Sequence, residues 1–96
     1  MIALMSDDVI LDGTTPPDGE RIEGIDAVRA FLEDVFRSAP NALVETEQII
    51  EAGDRCIVLC RYIFDRNSPE AGHVRSVDVY KVRDGKITEK LSYVKG

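Results

Sequence analysis

From Leu43 to Val94 apolar and polar residues alternate in four runs, 43–52, 56–65, 74–83 and 86–94, each of a length that suits a β-strand. The breaks between the runs carry turn chemistry. Gly53-Asp54 and Asp84-Gly85 are two-residue hairpin signals, and RNSPEAGH at 66–73 reads as a longer loop. Alternating runs joined in this way predict an antiparallel meander. Upstream the period changes. In GIDAVRAFLEDVFRSAP the apolar residues Ile25, Val28, Phe31, Leu32, Val35 and Phe36 recur at spacings of three and four, which predicts one amphipathic helix. Gly24 serves as its N-cap, Asp26 suits the positive end of the helix dipole, and Pro40 marks its end.

The first residues are less regular. MIALMSDD reads as the last turn of a helix, with Ile2, Leu4 and Met5 apolar and Ser6, Asp7 and Asp8 ending the pattern. VILDGT follows as a short strand, stopped by Gly13 and the Pro16-Pro17 pair. A short second strand fits Arg21 to Glu23 inside the following loop.

Counting faces along the strands raises two points. In the run 56–65, Cys56, Val58, Cys60, Tyr62 and Phe64 lie on one side and Ile57, Leu59 and Ile63 on the other, with Arg61 as the only interruption. A sheet in a small monomer normally leaves one face to water, so two apolar faces predict the helix on one and a second copy of the chain on the other. In VRSVDVYKVRDGKI, Asp78 shares a face with Tyr80 and Val82, while Val77 and Val79 take the opposite face. If both faces are covered, Asp78 points into protein, where a carboxylate is costly unless it is paired or protonated.

Composition narrows the function classes. At 96 residues, 44% hydrophobic and 31% charged, the chain is one small globular domain. A net charge of −6 argues against nucleic acid and anionic membrane as partners, since both need clustered Lys and Arg. No basic and apolar leader opens the chain, and CIVLC is far too short to span a bilayer. Cys56 and Cys60 stand four apart in a strand-like run, about 13 Å of rise, so they cannot be bridged to each other. They are expected to be reduced, buried hydrophobes of a cytoplasmic protein. No metal-ligand cluster, nucleophile triad or phosphate loop is present, so neither metal nor cofactor is expected.

The order of these pieces resembles the nuclear transport factor 2-like superfamily, and within it the SnoaL-like and ketosteroid-isomerase-like proteins. The resemblance runs over nearly the whole chain and is carried by the helix opening G-x-x-A-[IV]-R-x-F-[LY] at Gly24 to Leu32 and the hairpin D-V-[YF]-x-[VF]-x-D-G-K-I at Asp78 to Ile87. It implies an α+β fold, a cone-shaped curved antiparallel sheet packed on helices, here with a shortened N-terminal helix, and it implies homodimers. In the steroid isomerases an Asp in a D-D-A-x-V-x-D-P stretch moves the proton and a second Asp hydrogen-bonds the oxyanion; this enzyme is also a general example of a carboxylic acid kept neutral by an apolar site. DDVILDG places Asp12 at the first position, followed by Gly13 where the isomerases have proline, and VDVY places Asp78 at the second.

What the resemblance implies is a cofactor-independent isomerase or cyclase. Asp12 would abstract a proton next to a carbonyl and Asp78 would stabilise the enolate, both carboxylates facing one cavity walled by Phe31, Val35 and Tyr80. Tyr62, Tyr80 and Tyr93 are further candidates to meet a small apolar ligand, each with an apolar body and a polar tip. Two bland alternatives stand beside this reading: Asp12 as a turn residue before Gly13, and Asp78 as the partner of an Arg such as Arg61 on a neighbouring strand. The competing function is a binding or dimerisation module without catalysis.

Overall fold

The structure is a computed structural model that describes residues 2–95; Met1, Gly96 and the side chain of Ile2 lie outside the described residues. A 3-10 turn at Ile2–Leu4 leads into β1 (Met5–Asp12), followed by β2 (Arg21–Glu23), α1 (Ile25–Ser38), β3 (Leu43–Ala52), β4 (Arg55–Ile63), a 3-10 turn at Pro69–Ala71, β5 (His73–Arg83) and β6 (Lys86–Val94). The meander and the helix agree with the periodicity to within two residues. β4 stops at Ile63 rather than Asp65, because Phe64 donates its N–H to the Gly72 carbonyl and closes the loop. The expected helical start is corrected. Met5 is buried and pairs with Ile87, so Met5 to Asp8 belong to β1.

The six strands form one sheet in the order β2-β1-β6-β5-β4-β3. The β1–β6 pair is parallel and the others are antiparallel, so the sheet is mixed, curved and unclosed. A parallel pair cannot be joined by a tight turn. Here the entire helix and meander form the connection between β1 and β6. At the β5–β6 hairpin, Asp84 and Gly85 both have positive φ, 54° and 75°, the mirror-image turn that suits strand twist.

The helix packs chiefly on β1 and β2. Val9, Leu11 and Met5 from β1 meet Val28 from α1, with Ile22, Ile25, Phe31, Leu32 and Ile87 around them. Val9 and Val28 are wholly buried, each contributing about 1.5–3 kcal/mol of transfer free energy. Burial fades along the helix. Val35 is half-buried and Phe36, expected on the covered stripe, is 67% exposed. The sheet therefore has an inner face, which carries α1 over β1 and β2, and an outer face. Over β3, β4 and β5 the inner face is largely free of helix.

Candidate functional site

Strand register places the chemistry-bearing residues of the inner face in rows. Val58, Asp78 and Ser92 form one row across β4, β5 and β6; Cys56, Tyr80 and Lys90 form the next; Cys60, Ser76 and Val94 lie on the other side. Directly opposed residues stand about 5 Å apart and rows about 7 Å apart, so Asp78, Ser92, Tyr80 and Lys90 make a compact two-by-two patch. Leu11 of the core adjoins Lys90, which ties the patch to the helix-bearing edge.

Asp78 is half-buried. Its carboxylate accepts a weak hydrogen bond from the Cys60 thiol, Sγ to Oδ2 4.0 Å. Among the described residues no cation pairs with it. Arg61 pairs with Glu45 and Arg75 with Glu47, and both arginines alternate to the outer face. The ion-pair alternative for Asp78 is thereby corrected: the alternation of β4 and β5 turns those side chains away.

The neighbours of Asp78 are held protonated. Burial, and after it the Asp78 carboxylate, push the Tyr80 hydroxyl well above the ordinary tyrosine range. Burial and then Asp78 also raise the Cys60 thiol, with Lys90 opposing. Tyr80 thus stays a hydrogen-bond donor across the physiological range. The Lys90 ammonium lies 6.0 Å from the centre of the Tyr80 ring, within cation–π reach. Such an arrangement can bind a polar carbonyl, take a proton at Asp78 and donate a hydrogen bond at Tyr80. Among the described residues no three His, Cys, Asp or Glu side chains converge to hold a metal ion. An open depression of about 600 Å³ is lined by the outer-face row Gln48, Leu59, Val77 and Tyr93 and also by Cys60, Ser76 and Val94 of the row beside Asp78. It contains no unpaired carboxylate, Glu47 at its edge being held by Arg75.

The SnoaL-like domain model matches residues 1–90. The chain belongs to the SnoaL-like family. An NTF2-like protein of unknown function from Mesorhizobium loti is 31% identical, with a TM-score of 0.82; the match covers 99% of this chain and 75% of that one. A Jannaschia sp. CCS1 protein assigned to the SnoaL-like polyketide cyclases shares the fold at 20% identity and TM-score 0.80, with 97% and 68% covered. TerC, co-crystallised with polyporic acid, shares it at 20% identity and TM-score 0.77, with 98% and 75% covered. No curated protein matches.

Within this SnoaL-like frame the expected site residues separate. Asp12 registers with Leu91 and Arg21 and stands on the outer face, so it does not share a cavity with Asp78. The reason is parity: Leu11 turns into the core, so its strand neighbour Asp12 turns to the opposite face. Tyr93 registers with Val77, is 59% exposed and also lies outside the inner face. Tyr62 is on the inner face but two rows from Asp78, with its ring edge-on to Phe64 at 5.7 Å. Phe31 is part of the helix core against β1, and Val35 is half-buried beyond it. Lys90 and Ser92 join the patch without having been expected. Strict pairing back from the Asp84-Gly85 turn would place Glu89 and Leu91 there, but the register slips by one between Lys81 and Val82.

Proposed function

We propose that this SnoaL-like chain binds a small carbonyl compound on its inner face and moves a proton next to the carbonyl without a cofactor. Asp78 is the base and Tyr80 the donor to the developing enolate oxygen. The observation that carries this reading is the pairing of an uncompensated, half-buried carboxylate with a hydroxyl held protonated two residues along the same face. A base and an oxyanion donor must flank one reacting carbon, and donors already in place need no reorganisation as charge develops. The family assignment and the polyketide-cyclase and polyporic-acid proteins of the same fold support a planar oxygenated ligand. In the same proposal the outer-face residues Ile57, Leu59, Ile63, Val77 and Val79 form the contact between two copies, rimmed by the pairs Arg61–Glu45, Arg75–Glu47 and Arg55–Glu89.

The test is exchange of the α-protons of 2-tetralone for deuterium, followed by NMR in buffered D2O. The wild-type chain is expected to accelerate exchange over buffer, and Tyr80→Phe to lose about 100-fold of that acceleration, the usual effect of removing one oxyanion donor. Equal exchange in protein and buffer would overturn the enzymatic reading. The alternative, binding without turnover, draws on the sparse helical cover of β3 to β5, which leaves the face open to water. It predicts ligand-dependent shifts of inner-face amides with no exchange.

A further inference from the structure

The inner face holds a cation that the proton-transfer reading does not use. Lys90 is half-buried, its strand neighbours are Leu11 and Tyr80, and among the described residues it makes no ion pair; every pair found there uses an arginine. Its neighbour Leu11 belongs to the core, and its ammonium lies over the Tyr80 ring. That arrangement is an ordered positive charge without a protein counter-ion, one row from Asp78.

We infer that Lys90 favours a ligand bearing a carboxylate, so that planar keto acids are bound on this face in preference to neutral ketones, which still bind but more weakly. The inference rests on the inner face being the ligand site. A chain with net charge −6 repels anions over most of its surface, and Asp78 repels them locally. A ligand carboxylate seated against Lys90 gains a charge-assisted hydrogen bond and relieves the unmatched ammonium. The same contact sets orientation. With the carboxylate in the Tyr80–Lys90 row, the remainder of a planar ligand extends over the Asp78–Ser92 row, where the base stands.

The test compares 2-naphthoate with methyl 2-naphthoate, which have the same ring and differ in charge, by titration of the isotope-labelled protein followed through amide shifts of Asp78, Tyr80 and Ser92. The wild-type chain is expected to bind the acid at least about 10-fold more tightly than the ester. Lys90→Met, which keeps the stem and removes the charge, is expected to bring that ratio to about 1 while ester binding is retained. Lys90→Arg is expected to keep the preference. Overall charge cannot produce a preference for the acid, because it acts against it. An unchanged acid-to-ester ratio in Lys90→Met, or a wild-type preference for the ester, overturns the Lys90 assignment and leaves the inner-face site standing. If neither compound shifts those three amides, the inner-face reading fails and the Lys90 assignment fails with it.

Discussion

Asp12 stands beside Leu91 and Asp78 beside Ser92, so two consecutive residues of β6 deliver the two carboxylates to opposite faces of one sheet. This relationship keeps the two carboxylates out of a common cavity within one chain, and the proposed partner of Asp78 is Tyr80. Asp12 is then a partly exposed outer-face residue near Arg21 and Glu89. Asp12→Asn is expected to change unfolding free energy by no more than about 0.5 kcal/mol, as surface substitutions usually do. Denaturant unfolding measures it, and a loss of several times that size would show that Asp12 holds a structural contact.

Tyr80 gives a pH signature. Its folded-state pKa is raised, by burial first and by Asp78 second, so its contribution to stability is complete below the unfolded value of about 10. It is lost as pH rises from there through the folded value. Tyr80→Phe is expected to flatten the alkaline fall of the unfolding midpoint. The difference in tyrosinate absorbance between the two proteins is expected to emerge only above the ordinary tyrosine range. A difference appearing at about pH 10 would mean that Tyr80 is open to water.

The outer face provides a third test. Leu59 lies in the row Gln48, Leu59, Val77, Tyr93, in a face whose charges are already paired at its rim. Leu59→Lys is expected to convert a dimer to a monomer in light scattering, with the circular dichroism spectrum retained, because burying an unpaired ammonium costs several kcal/mol. A wild-type chain that is monomeric at micromolar concentration would dispose of this interface.

The elements could be read because helix and strand periods are long-range features that one residue does not disturb. The stripe from Ile25 to Leu32 and the alternation in β4 and β5 suffice to place α1 and the meander. Asp78 and Tyr80 share a face for the same reason. The partners across the sheet could not be read, because a single slip exchanges faces. The irregularity between Lys81 and Val82 brings Lys90 and Ser92 inward in place of Glu89 and Leu91, and Asp12, next to the buried Leu11, faces outward. β1 escaped notice over Met5 to Asp8 because its partner there, β6, lies near the other end of the chain and the register slips between Met5 and Ile10.

The most direct test sets Asp78→Asn beside Asp12→Asn in the 2-tetralone exchange assay. Asp78→Asn keeps the shape of the side chain and, with no cation paired to the carboxylate, is expected to stay within about 1 kcal/mol of wild-type stability. Its exchange rate is expected to fall to that of buffer, while Asp12→Asn retains the wild-type rate. The opposite pattern, with exchange lost on replacing Asp12 and kept on replacing Asp78, would contradict the placement of the chemistry on the inner face.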